Sequence, residues 1–453
     1  MGRRNFLYVS AFGTGIIHEI IIPYCIRFTR ITGKQNLQHS MYMKIFSLKN
    51  FDNNHKQLII LGIKITLNKS KLISFFYKPA KIKQNKIVFN NFQGGLYGCN
   101  PKYIAEEIIK RNLQYDLVWL IKDIANVNKN DFPKNVRLVK FSSFALIKEL
   151  LTTKILIGNV RSNILIKNGW RKRKGQYYIQ TWHGSLGIKK IDQTANDNFK
   201  VINKTFCKLA QTDSAYTDIL LSNSTFEDEV FKTGFWYNGK VAKFGHPRND
   251  IFFYDEEEQN KIKEKIFENL KIPKDKKVIL YVPSFRDDKK LNCYNLDTQL
   301  LIKAFVDKFE KDCVVAIRMH PHLKAQASNI FNFDNDLIVD ASLYPDIQEL
   351  LVASDVAITD YSSCIFDFML SRKPAFIFAT DIEEYNNDRG FYYPLESTPF
   401  PVARNEELCE NIKNFDYEKY KKEVEEFLKE KGCIEDGHAS ERVVDLIERI
   451  MNE

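Results

Sequence analysis

The sequence predicts an α/β protein built from two doubly wound domains in tandem, with a cleft between them and a small basic appendage in front. Three observations carry this. From Lys86 onward, short apolar runs alternate with amphipathic stretches, the pattern of parallel strands covered by helices. That pattern breaks once, at the highly charged residues 255–277, and then restarts. Finally, residues 1–80 hold twelve Lys and Arg against two Asp and Glu, while the remaining 373 residues hold 55 of each sign, so the formal excess of +10 lies at the front. The expected boundaries are 1–85 for the appendage, 86–255 for the first domain and 256–453 for the second, which includes the terminal helices.

The elements follow in order. Within residues 35–85, the run KQLIILGIKITL at 56–67 reads as short strands and turns. In the first domain, apolar runs predict strands over 87–90, 117–121, 155–157, 177–180, 219–221 and 241–244. Pro101, suited to a first helical turn, opens a helix running through Arg111. Residues 255–277 read as a charged helix plus linker. The second domain has strand signals at 278–282, 314–318, 337–339, 356–359 and 375–378, and from Tyr417 two amphipathic helices close the chain. No internal repeat is present.

Composition excludes several classes. With 44% hydrophobic and 27% charged residues, the chain is globular rather than disordered. Its eight Cys include no CxxC pair, so neither a metal cluster nor a disulfide framework is expected, and reduced thiols are the default. No uninterrupted apolar run reaches membrane-spanning length. The nearest candidate, residues 6–26, is interrupted by His18 and Glu19 and flanked by Arg3, Arg4, Arg27 and Arg30. It has no cleavage site for a signal peptide and reads as an interfacial helix. Phe6 stands where myristoylation wants Ser or Thr. A segregated basic segment points to an anionic surface, membrane or nucleic acid, although a general bias toward Lys, Asn and Ile would also produce it.

In doubly wound sheets ligands bind beyond the carboxyl ends of the strands. Three second-domain strands end in Ser284 with Arg286, in Arg318 with His320, and in Thr359, Asp360, Ser362 and Ser363. Cations and hydroxyls on one rim suit a phosphate-bearing ligand. Ser362 and Ser363 precede the apolar run 364–370, which predicts a serine-capped helix whose free N–H groups attract anions. In the first domain, the strand at 177–180 leads into Trp182, His183 and Gly184. A histidine beside a glycine at a strand end suits general base work, although a lone histidine is more often structural. Arg248 in GHPRND (245–250) either faces the cleft or pairs with Asp250. The basic run 171–174 reads as a solvated loop or a lipid headgroup contact. The DND at 334–336 reads as an acidic turn rather than a metal site. Absence of a P-loop, a GxGxxG and a GxSxG disfavours NTPases, NAD enzymes and α/β-hydrolases.

Taken together, QTWHG (180–184), GHPRND (245–250), YVPSFR (281–286), RMH (318–320) with Pro321, and TDYSS (359–363) with Asp367 resemble the motifs of CDP-glycerol:poly(glycerophosphate) glycerophosphotransferases. These are teichoic-acid and capsule polymerases and primases with a GT-B-like fold. Residues 87–101 resemble the family's opening strand and turn, and the resemblance spans about 86–451. It implies transfer of glycerol phosphate, or a related polyol phosphate, from a CDP-glycerol or CDP-polyol donor to a hydroxyl of a lipid-linked glycan or polyol phosphate acceptor, with CMP leaving. By the same resemblance His183 is the base for the acceptor hydroxyl, His320 and Arg318 steady the donor phosphates, and Ser362 and Ser363 form the pyrophosphate turn. Work at the cytoplasmic face of a membrane, as a peripheral protein, is implied as well, and no cofactor is required. Two stretches depart from the family pattern. The Thr-Pro-Leu-Lys that usually follows WHG is replaced by SLGIKK (185–190), and the expected Pro-Gly-Pro by STPFP (397–401).

Two other classes compete. A GT-B glycosyltransferase using a nucleotide sugar shares the fold and the phosphate site. A nucleic-acid-binding protein would explain the basic front, but no RRM, KH or zinc-finger pattern appears, so no nucleic-acid partner is expected.

Overall fold

The computed structural model describes residues 46–50, 55–60, 63–68 and 80–453, apart from 142–143, 196–202, 287–291, 321–322, 324–326, 334 and 405–406. The chain divides into two units, Met1–Pro79 and Ala80–Glu453. In the first unit, β1 (Phe46–Asn50), β2 (His55–Ile60) and β3 (Ile63–Asn68) form an antiparallel sheet, where strands and turns were expected. The expected interfacial helix over 6–26 lies outside the described residues.

The second unit holds two parallel sheets. The first has seven strands: β4 (Lys86–Asn90), β5 (Asp116–Ile121), β6 (Val136–Lys140), β7 (Ile155–Gly158), β8 (Tyr177–Gln180), β9 (Ile219–Ser222) and β10 (Lys240–Lys243). They lie in the order β10-β9-β8-β7-β4-β5-β6. The second has six: β11 (Lys277–Val282), β12 (Cys313–Ile317), β13 (Ile338–Asp340), β14 (Val356–Thr359), β15 (Ala375–Phe378) and β16 (Val402–Ala403), in the order β13-β12-β11-β14-β15-β16. In both sheets the first strand is interior and the order reverses beside it, the doubly wound topology. The two-domain GT-B-like architecture is thus present.

Parallel strands are covered on both faces, so their residues are apolar in unbroken runs. Alternation then sorts them. Ile87, Phe89, Trp119, Ile155, Ile157 and Ile179 bury one face of the first sheet. Val88, Val118, Leu120, Leu156 and Tyr178 bury the other. Among the helices are α1 (Cys99–Lys110), α2 (Glu256–Leu270), α3 (Ile347–Ala353), α4 (Cys364–Phe368), α5 (Tyr417–Glu430) and α6 (Ala439–Asn452). Pro101 sits in the first turn of α1, where its missing N–H costs nothing. Asp255 caps α2, accepting the Glu258 N–H at 2.8 Å. The stripe Val443, Val444, Leu446, Ile447 and Ile450 of α6 packs on the first sheet, although its sequence follows the second.

Two strands were not expected. In β6, VRLVK, only two of five residues are buried, so an edge strand with two cations has no continuous apolar run. In β16 only two residues pair. The basic run 171–174, expected to be solvated, largely holds the fold: Arg171 donates to the Ile166 and Trp170 carbonyls, Lys172 pairs with Asp218, and Arg173 donates to the Ala80 and Leu151 carbonyls.

Candidate active site

The order of the first sheet reverses between β4 and β7, which run out into Asn91 and Asn159. In the second sheet it reverses between β11 and β14, which run out into Ser284 and Asp360. Residues beyond both points, Asn91 and Ser284 among them, line a single cavity of about 1240 Å³.

On the first-sheet wall, Gln180 ends β8 and accepts the Trp182 N–H at 3.0 Å, which holds Trp182 at a left-handed φ of 54°. A large side chain in that conformation is strained, and such strain gathers at functional sites. The turn presents His183 between two rings, Trp182 at 4.3 Å and Phe92 at 5.3 Å. Its Nδ1 lies 2.7 Å from the Asn159 carbonyl oxygen. A carbonyl only accepts, so Nδ1 carries the proton and the neutral ring keeps its lone pair on Nε2. Burial pulls the His183 pKa down to about 4; the nearby cations Arg248, Arg389 and Lys189 add to this, against the bond to Asn159. At neutral pH this ring is uncharged, with Nε2 free to accept a proton.

Asn159 also fixes the facing loop. Its Nδ2 donates to Asn91 Oδ1 at 2.6 Å, and its Oδ1 accepts the Phe92 N–H at 2.8 Å. The sequence reading missed Asn159. Extending the strand-end rule two residues past 155–157 reaches it.

On the second-sheet wall, buried Asp360 accepts the Ser284 N–H at 2.9 and 3.0 Å and Arg286 at 2.9 Å. Arg286 also reaches Asp381 at 2.7 and 3.0 Å and stacks against the rings of Tyr361 and Tyr385. Two carboxylates therefore answer its charge. Arg318 donates to the Tyr344 carbonyl and forms no ion pair among the described residues; burial lowers its pKa. The His320 ring stands 5.4 Å from that of Phe285.

The serine turn differs from expectation. Ser363 occupies the N-cap of α4, but its side chain makes no capping bond, and α4 is only five residues long. Ser362 Oγ is a distant 3.5 Å from the Cys364 N–H. Ser363 is in the backbone α region, where the hydroxyl of an N-cap cannot reach back along the helix. The helix leaves this hydroxyl unused, and both serines line the cavity.

His183, Trp182, Gly184, Ser284, Arg286, Arg318, His320, Ser362, Ser363 and Arg248 all border the cavity. Thr359, Asp360 and Asp250 do not. Thr359 is buried, and its hydroxyl donates to the Val282 carbonyl; Asp360 holds the Ser284 turn. Asp250 accepts the Ala439 and Ser440 N–H groups at 2.9 and 2.7 Å, and so caps α6. Because Asp250 is taken, Arg248 pairs instead with Asp367 while still bordering the cavity.

The walls touch. A Cβ built on Gly187 would stand 3.2 Å from Ser363 Cβ, and one on Gly184 would stand 3.8 Å from Ser363 Oγ. The loop that carries His183 thus lies against the serine turn. Lys189, also missed as a site residue, donates to Ser284 Oγ at 3.0 Å. Among the described residues, no group of three His, Cys, Asp or Glu side chains could hold a metal ion.

Comparison with known proteins agrees with this picture. A family model described as CDP-Glycerol:Poly(glycerophosphate) glycerophosphotransferase matches residues 72–449. The teichoic acid poly(glycerol phosphate) polymerase of Staphylococcus epidermidis is 29% identical over 424 residues, 90% of this chain and 57% of that protein. Its Bacillus subtilis counterpart is 30% identical over 421 residues, 88% of this chain and 54% of that protein. The chain therefore spans little more than half the length of these relatives. The solved structure of the wall teichoic acid polymerase TagF, soaked with CDPG, superposes with a TM-score of 0.73 at 27% identity, covering 84% of this chain and 93% of that one. With a family match over most of its length and a cleft that gathers the motif residues, the chain belongs to the CDP-glycerol:poly(glycerophosphate) glycerophosphotransferase family.

Proposed function

We propose that this protein transfers glycerol phosphate, or a related polyol phosphate, from a CDP-activated donor to a hydroxyl of a lipid-linked acceptor, releasing CMP. The observation that carries this is the contact between the two walls: a neutral imidazole with a fixed lone pair lies on a loop packed against Ser363, whose hydroxyl makes no capping bond. Base and phosphate site are then within one substrate's reach. In this reading the donor diphosphate lies along Ser284, Arg318, His320, Ser362 and Ser363. Arg286, Asp360 and Thr359 hold the turns beneath it, and Trp182, Gly184 and Arg248 shape the acceptor side. His183 Nε2 takes the proton of the acceptor hydroxyl as its oxygen attacks the distal phosphorus. The bond from that phosphorus to the bridging oxygen breaks, and CMP leaves with the electron pair. Positioning and charge stabilisation supply most of the rate.

A lipid-linked acceptor places the reaction at a membrane surface, in our reading its cytoplasmic face. Supporting this are the twelve basic residues within 1–80. Among the described residues, no helix is long and apolar enough to cross a membrane. The test is incubation with a panel of CDP-polyols and nucleotide sugars. CMP with a new phosphodiester is expected; a new glycosidic bond would favour the glycosyltransferase reading. In a second arm, the full chain should sediment with anionic liposomes at low salt and release as salt rises. Equal binding to neutral vesicles would overturn the membrane assignment.

A further inference from the structure

Lys189 stands two residues past Gly187 on the wall that carries His183. Its backbone pairs antiparallel with Phe391 of the opposite half. The Tyr392 N–H donates to the Ile188 carbonyl at 2.7 Å, and the Lys190 N–H to the Gly390 carbonyl at 2.9 Å. A short ribbon thus bridges the cleft and fixes where Lys189 projects. Its side chain borders the cavity, with Nζ 3.0 Å from Ser284 Oγ and 5.5 Å from the Tyr385 ring.

An ammonium drawn partly out of water normally keeps a carboxylate beside it. Lys189 is partly buried and makes no ion pair among the described residues. Two other cleft cations are committed, Arg286 to Asp360 and Asp381 and Arg248 to Asp367, while Arg318, which like Lys189 makes no ion pair among the described residues, lies on the opposite wall. The Ser284 hydroxyl occupies one of three ammonium donors, and the rest are available to an anion.

Which anion follows from position. The phosphorus attacked by the acceptor hydroxyl is the one nearest the base, and Lys189 shares the base's loop. The phosphate that departs with cytidine is held, in the proposed transfer reaction, by the opposite wall. Resting on that reaction, we propose that Lys189 binds the phosphoryl group being transferred, reaching it from the acceptor side. As the hydroxyl oxygen bonds to this phosphorus and the bridging oxygen leaves on CMP, charge gathers on the three remaining oxygens, and the ammonium stabilises it.

The test uses the full chain with Lys189→Met and Lys189→Arg, measuring CMP release from CDP-glycerol and calorimetric binding of CDP-glycerol and CMP. Lys189→Met is expected to lower kcat by about 100-fold or more, the scale of one lost transition-state donor, with CMP affinity within about twofold of wild type. Lys189→Arg should recover at least a tenth of the loss. A kcat within about threefold of wild type in Lys189→Met would overturn the assignment. So would an equal loss of CMP affinity, which would move Lys189 to the leaving nucleotide. If wild type releases CMP from no CDP-polyol, the transfer reading fails and binding alone judges the lysine. The preference for CDP-glycerol over CMP should then fall about tenfold in Lys189→Met, and an unchanged ratio sinks the proposal.

Discussion

Arg248 and Asp367, 119 residues apart, join the two halves through a pair of hydrogen bonds of 3.0 and 3.1 Å. Both side chains are almost wholly buried. Removing one partner would strand a charge in the interior, which typically costs about 3–5 kcal/mol. Asp367→Asn should lower the stability measured by urea unfolding by that order. Replacing both residues by apolar ones of similar size, Arg248→Met with Asp367→Leu, should recover much of the loss. A double variant as unstable as the single one would show that the pair does more than neutralise itself.

The acid limb of the pH–rate profile should distinguish free enzyme from complex. In the free protein His183 titrates at about 4, and the cations Arg248, Arg389 and Lys189 contribute to that depression. A bound diphosphate offsets those cations and raises the value. The limb of kcat, which reports the complex, should therefore lie at higher pH than that of kcat/KM, which reports the free enzyme. His183→Asn should remove the limb and lower turnover about 100-fold or more, with donor binding kept. A wild-type profile in that variant would dismiss His183 as the base.

Ser363→Ala separates binding from folding. Since the side chain makes no capping bond, thermal stability should be unchanged within a degree or two, unlike the roughly 1 kcal/mol lost with a working cap. The donor KM should rise severalfold. A loss of stability with unchanged KM would return the serine to a purely structural role.

Glu435 is half-buried and linked through Asn223 to Ser185 of the loop that carries His183; its Oε1 accepts from Asn223 and Asn249 Nδ2 and from the His246 N–H. Burial raises its pKa from 4.5 to about 7. Between those values the folded state holds a proton that the unfolded chain has released, so this group's contribution is full below about 4.5 and lost as pH rises through 7. Glu435→Gln keeps an acceptor and carries no charge. Measured against it, wild type should lose on the order of 2 kcal/mol between pH 5 and 8. Taking the difference cancels the opposite slope from His183. A difference independent of pH would place an ionised Glu435 in the fold at every pH tested.

The core strands were readable because burial on both faces leaves only apolar residues, as at Ile87, Val88 and Phe89. The cavity rim was readable for a related reason: polar residues directly after such a run have left the sheet. What escaped depends on distance along the chain. Nothing near Arg248 announces Asp367 as its partner, and adjacency made Asp250 the obvious alternative until α6 claimed it. The serine turn misled differently. A cap requires a backbone dihedral as well as a residue type, and Ser363 has the helical one. Lys189 was visible only as part of a departure from the family pattern, because the ribbon that aims it needs Gly390 and Tyr392.

The return of α6 to the first sheet sets a rule for building chimaeras. An engineer wishing to exchange the second domain between relatives would naturally graft everything after the charged helix α2. Such a graft would import a foreign α6 whose stripe, Val443, Val444, Leu446, Ile447 and Ile450, must mate with a first sheet it did not evolve beside. The sound exchange has two crossovers, one near Asp255 and one in the turn before Ala439, so that the recipient keeps its own closing helix and the Asp250 cap that seats it.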